Sequence, residues 1–87
     1  MTEWIDELAA TFALQPLTGD ETDRLLRVAR DVAHRVERKD TPLAAFLMGM
    51  DVALRVAGGA SREAAVDASI VAVEAMLPAT TEPPARP

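Results

Sequence analysis

The sequence predicts an all-α protein, a compact four-helix bundle followed by a proline-rich tail, and three observations carry that expectation. Apolar side chains recur at three- and four-residue spacing in four successive segments, which is the period of one helix face. Each segment opens on a Ser or Thr suited to an N-cap, and Pro16, Pro42, Gly58-Gly59 and Pro78 punctuate the boundaries. Of the 87 residues, 49% are apolar, many of them Ala, Val and Leu, while the only aromatics are Trp4, Phe12 and Phe46, so helix axes can approach closely. A chain of this length holds one domain, expected over residues 1–77, which buries roughly 60–65% of its unfolded surface.

The first helix is expected over about residues 2–14. Thr2 is placed to cap it, Glu3, Asp6 and Glu7 sit at the positive end of its dipole, and Trp4, Ile5, Leu8 and Phe12 share one face. Pro16 disfavours helical geometry at Gln15 and so sets its end near Leu14. The second helix, residues 19–38, opens on a capping box, Thr18-Gly-Asp-Glu21, with Leu17 as a staple. Leu25, Ala29, Val32 and Val36 run down the centre of its apolar stripe, with Leu26, Val28 and Ala33 at the sides.

The third helix, residues 42–57, follows Thr41 as N-cap with Pro42 in the first helical position. It is apolar almost all round, broken only by Asp51 and Arg55, which can pair at i, i+4. Such a helix belongs at the centre of the bundle, its most buried member, or under a second chain. Ala45, Gly49 and Ala53 recur every four residues, a low face that would let another backbone come close. A left-handed cap at Gly58-Gly59 ends it. The fourth helix, residues 62–77, starts after Ser61, puts Val66, Ile70, Val73 and Leu77 on one face and Glu63, Asp67 and Glu74 on the other, and stops at Pro78. The tail, 78–87, has no apolar period and reads as disordered or as a linker remnant.

A formal charge of -5 disfavours a general nucleic-acid binder, which needs surplus Lys and Arg. Without cysteine there are no disulfides, zinc thiolates or thiol nucleophiles. The acidic start lacks the basic head of a signal peptide, and no run approaches the ~20 apolar residues of a membrane span, which fits a cytoplasmic protein with no membrane contact.

Six of the nine basic residues, Arg24, Arg27, Arg30, Arg35, Arg38 and Lys39, lie on the second helix. Arg27, Arg30, His34, Glu37 and Arg38 fall within about 100° of arc opposite its apolar stripe, with Asp31 beside them. That face is either an anion- or partner-docking surface or a solvated one laced with pairs such as Asp23–Arg27 and Asp31–Arg35. His34, the only histidine, has Arg30, Asp31, Glu37 and Arg38 as helical neighbours and no nucleophile, so a catalytic role is not expected. No metal-ligand cluster, phosphate loop or cofactor motif is present. Trp4 is a candidate interface anchor or a core aromatic, and Met48, beside Gly49, either an adaptable contact toward the narrow polar strip of the third helix or a packed residue. Together with Ala45 and Ala53 these form a candidate interface.

Trp4-Ile5, Leu25-Leu26, Ala29-Arg30-Asp31-Val32-Ala33-His34, Glu37-Arg38, Thr41-Pro42-Leu43 and Phe46-Leu47-Met48-Gly49 together give a pattern that resembles a small actinobacterial domain of unknown function. That domain occurs alone or fused to a nucleotidyltransferase resembling molybdenum-cofactor guanylyltransferase. The resemblance covers about residues 3–77 and is strongest from Asp31 to Pro42. It implies an accessory module near molybdenum-cofactor maturation and marks Asp31, His34, Glu37 and Arg38 for testing, but carries over no catalytic residue.

The function expected is therefore a non-catalytic interaction or accessory module, whose partner is a second copy, as in a homodimer, or another protein such as a nucleotidyltransferase. The alternative is a small-ligand domain that holds a phosphorylated pterin or nucleotide with Arg27, Arg30, His34 and Arg38.

Overall fold

A computed structural model describes residues 3–79, which form four α-helices with no strand among them. They are α1 Glu3–Thr11, α2 Gly19–Arg35, α3 Asp40–Ala57 and α4 Arg62–Met76. The all-α, four-helix class read from the sequence is the class observed. Thr2 and the tail from residue 80 onward lie outside the described residues.

The first helix ends at Thr11, before Pro16 can act on it. Ala13 adopts a left-handed conformation, φ 57°. This lets its amide donate to the Ala10 carbonyl at 3.0 Å and the Leu14 amide to the Ala9 carbonyl at 2.8 Å, a Schellman closure made without glycine. No Cα of α1 lies within 8 Å of α2, α3 or α4, so the core is built by the other three helices.

The capping box of α2 forms as read: the Glu21 amide donates to the Thr18 hydroxyl at 3.0 Å, and the Glu21 carboxylate accepts from the Thr18 amide at 2.9 Å. The helix stops at Arg35, three residues short of the expected Arg38, because Val36 leaves helical geometry at φ -115°, ψ -98°. Glu37 and Arg38 thus belong to the connecting turn, where their carbonyls accept from Asp40 and Thr41. The third helix begins earlier than expected, at Asp40, with no side-chain cap on its start. The Thr41 hydroxyl turns instead toward the Ala29 carbonyl of α2, at 3.5 Å. Pro42 occupies the third helical position, still inside the first turn, where a missing N–H removes no intrahelical bond.

Gly59, at φ 111°, closes α3 with the Ala60 amide on the Arg55 carbonyl at 3.0 Å, the expected left-handed ending. Ser61 caps α4 by accepting from the Ala64 amide at 3.1 Å.

Val28 and Val32 of α2, Met48 of α3 and Ile70 of α4 make the core, flanked by half-buried Leu25, Ala44, Val66, Val73 and Leu77. Ala65 and Ser69 are also buried where α4 is crowded by its neighbours. Two expectations are corrected here. Val28 rather than Leu25 is central on α2, and Val36 is exposed because the helix has already ended. The third helix is not the most buried: Met48, 8% exposed, is its only buried residue, since only α2 and α4 cover it and both lie on one side.

Candidate functional site

The expected site on α2 is open surface. Arg27, Arg30, His34, Glu37 and Arg38 are exposed and Asp31 is half-buried. The early end of the helix takes Glu37 and Arg38 off its face, where Glu37 pairs with Lys39 at 3.3 Å. Among the described residues neither Asp23–Arg27 nor Asp31–Arg35 forms. Arg24 instead reaches Asp67 of α4 at 2.9 Å. His34 has no hydroxyl, carboxylate or guanidinium bonded to it, and no group of three His, Cys, Asp or Glu side chains able to hold a metal occurs among the described residues. The structure does not gather these positions into a cleft.

A buried polar cluster that the sequence reading missed lies at the other end of α2. Arg62, at the start of α4, donates through Nε to Glu21 Oε2 at 3.1 Å and through Nη2 to Glu21 Oε1 at 3.0 Å. Two of its remaining donors reach the Gln15 and Pro16 carbonyls at 2.8 and 3.3 Å. Burial pushes the Glu21 carboxyl upward, but the Thr18 amide and the Arg62 guanidinium outweigh it and hold the group below its ordinary value. With four of its five N–H donors committed and its charge met by Glu21, Arg62 acts as a clamp between the α1–α2 loop, α2 and α4 rather than as an anion site. No local pattern could have shown it, since the partners are 41 residues apart.

The expected interface residues divide. Trp4 is exposed, not core. Of the two readings of Met48, adaptable surface contact or packed residue, the structure shows the second: it is buried in the core. Ala45, Gly49 and Ala53 bring no second backbone close: a Cβ added at Gly49 would meet nothing within 4 Å. Their missing bulk instead hollows a groove of about 720 Å³, walled by Leu25, Val28 and Val32 of α2 and Val52 of α3. A second groove, about 420 Å³, runs between α3 and α4 past Leu47, Asp51, Val73 and Met76. Beside it Arg55 donates to Asp51 at 2.9 Å, and this bond with the Ser69 hydroxyl holds the Asp51 carboxyl below its usual range.

The largest group of exposed apolar side chains among the described residues lies on the outer side of α3. Leu43, Phe46, Met50 and Leu54 point outward and Leu47 stands at the rim of the α3–α4 groove, all from 50% to 71% exposed. At 100° per residue they share about 100° of arc with no charge among them. Taking 1.5–3 kcal/mol per fully buried side chain and their exposed fractions, about 5–9 kcal/mol of burial is left unrealised. That is a surface suited to excluding water against another molecule, and it carries no group able to act as acid, base or nucleophile.

No curated protein and no solved structure matches the chain. A family model does match, over residues 1–85, and the chain belongs to that family, described as Domain of unknown function (DUF6457).

Proposed function

We propose that the chain is a non-catalytic docking module whose working surface is the outer side of α3. One observation carries this reading: five large apolar side chains, Leu43, Phe46, Leu47, Met50 and Leu54, stand on one uncharged stripe of a well-formed helix and contribute nothing to the core. Isolated exposed leucines are ordinary on protein surfaces, whereas a contiguous stripe at helical spacing is the form in which amphipathic helices meet partners. Actinobacterial origin, fusion to nucleotidyltransferases and service to molybdenum-cofactor maturation are part of the proposal, and their support is the resemblance centred on Asp31, His34, Glu37 and Arg38.

The test is a photo-crosslinking residue, benzoylphenylalanine, placed at Leu47 in cells and, as control, at exposed Asp23. A single cross-linked species from Leu47 alone, identified by mass spectrometry and lost in the Leu43→Glu background, is the expected result. Absence of any species from Leu47 overturns the docking reading.

A second reading rests on Arg27 and Arg30, which are exposed and without ion pairs among the described residues. With His34 and Arg38 they would hold a phosphorylated pterin or a nucleotide by charge-assisted bonds. Ligand at a hundred times its dissociation constant would stabilise the chain by about 2.7 kcal/mol. An unchanged melting temperature with guanine nucleotides and pterin phosphates removes it.

A further inference from the structure

We infer that α1 is a hinged lid for the α2–α3 groove: it stands away from the core in this structure and closes by laying Leu8 and Phe12 over Ala53 and Ala57. The lid and its groove are distinct from the docking stripe on the outer side of α3 and do not depend on it.

The core makes no use of the aromatics of α1. Trp4 and Phe12 are 65% and 64% exposed, and no Cα of the helix lies within 8 Å of α2, α3 or α4. Two exposed aromatics on one helix are apolar area that burial would stabilise. The tether delivers them to the groove. Leu14 and Leu17, on the segment that joins α1 to α2, already line it, and Arg62 fixes the Gln15 and Pro16 carbonyls between them at 2.8 and 3.3 Å. The swing of α1 is therefore confined to residues 12–14. There Ala13 holds φ at 57°, a left-handed conformation that disfavours alanine and that a right-handed or extended backbone relieves.

Entering at the Leu17 end, beside Ala57 and Arg62, α1 runs against α2. Because α2 turns back into α3 through residues 36–39, this sets α1 parallel to α3. Size and length then agree. Leu8 and Phe12 are four residues apart, as are Ala53 and Ala57, so in parallel register each bulky side chain meets a small one, the interdigitation of i±4 rows that commonly packs helices. Trp4 continues the row toward the open space beside Gly49. The nine residues of α1 span about 13 Å, against about 18 Å along α3 from Ala45 to Ala57. Charge agrees as well. Glu3, Asp6 and Glu7 are the only charged residues of α1, and Arg30, one position beyond the groove-lining Ala29, is exposed with no ion pair among the described residues.

The chain has no cysteine, so an engineered pair reports closure without ambiguity. L8C/A53C cannot bridge in the outward arrangement, because a disulfide needs Cα atoms about 4.4–6.8 Å apart and these lie beyond 8 Å. Under mild oxidation of the dilute protein a monomeric disulfide should form, several-fold faster than in D6C/A53C, whose cysteine sits on the acidic side of the same helix. Acrylamide quenching of Trp4, the single tryptophan, reads the lid in the cysteine-free chain. A53E sets a carboxylate in the apolar groove against the acids of α1. It should expel the lid, shift Trp4 emission to the red and raise its quenching, with helical circular dichroism kept because Ala53 is exposed. Three results would each overturn the lid. Equal rates for the two cysteine pairs mean that α1 moves without docking, a disulfide found only in covalent dimers assigns the groove to the helix of a second copy, and Trp4 quenching indifferent to A53E leaves the groove uncovered.

Discussion

The clamp at the start of α4 supports a quantitative prediction. In Arg62→Met the Glu21 carboxylate, its side chain only 12% exposed, keeps its Thr18 amide but loses two charge-assisted hydrogen bonds to the guanidinium. Hydrogen bonds to charged groups contribute about 1.5–3 kcal/mol, and because the Arg62 side chain is 35% exposed the lower part of that range applies. The Gln15 and Pro16 carbonyls are exposed and take water in exchange, adding little. We expect Arg62→Met to lose about 2 kcal/mol, a fall of roughly 8–16 °C in Tm for a domain of this size. Glu21→Gln should lose a similar amount, and the double variant should fall short of the sum by about 1–2 kcal/mol. Urea unfolding of the four proteins, at concentrations where they are monomeric, gives the coupling directly. The acid limb provides a second reading. The folded Glu21 carboxyl titrates below its unfolded value, so its contribution is complete above the unfolded pKa, near 4.5, and is lost as pH falls through the folded pKa. The wild type should therefore lose more stability than Arg62→Met on acidification through that window. A coupling below about 0.3 kcal/mol, with parallel acid limbs, would show the clamp to be an ordinary surface pair and refute the reasoning.

Three further outcomes are expected from urea midpoints. Gly49→Ala should stabilise the protein by about 0.5–1 kcal/mol, because the added methyl meets nothing and the helix gains propensity, whereas a loss would reveal a close backbone there. Ala13→Gly should stabilise by about 1 kcal/mol by relieving the left-handed alanine, and a neutral result would mean that the α1 ending differs. Ile70→Ala, at a site 1% exposed, should lose about 2–5 kcal/mol, while Leu54→Ala, at 71%, should change the monomer by less than about 0.5 kcal/mol; similar losses at both would put α3 inside the core.

What the sequence revealed was local. The capping box at Thr18 and Glu21, the cap at Ser61, the left-handed ending at Gly58-Gly59 and the Ile70 face of α4 are each specified within a turn or two, and each was found. The α2–α3 boundary was misplaced because Val36 to Lys39 hold no helix breaker and Pro42 tolerates several first-turn positions. Ala13 ends α1 in a conformation that alanine gives no reason to expect. The Arg62–Glu21 and Arg24–Asp67 pairs join residues more than 40 positions apart, beyond any local pattern. For α3 the composition fixed an apolar circumference but not its neighbours. Centre of the bundle and covered by another chain give the same pattern, and the one-sided cover by α2 and α4 removes the first.

Methionine oxidation tests most directly whether the α3 stripe is an occupied surface. The helix carries its own control: Met48 is 8% exposed, while Met50, two residues on, is 50% exposed, and Met76 at the end of α4 is 83% exposed. In the dilute purified chain, peroxide should oxidise Met50 and Met76 readily and Met48 slowly. In intact cells at native abundance, Met50 should become several-fold slower relative to Met76, with Met48 slow in both. An unchanged ratio of Met50 to Met76 between cells and dilute solution would contradict it, leaving the stripe as bare surface.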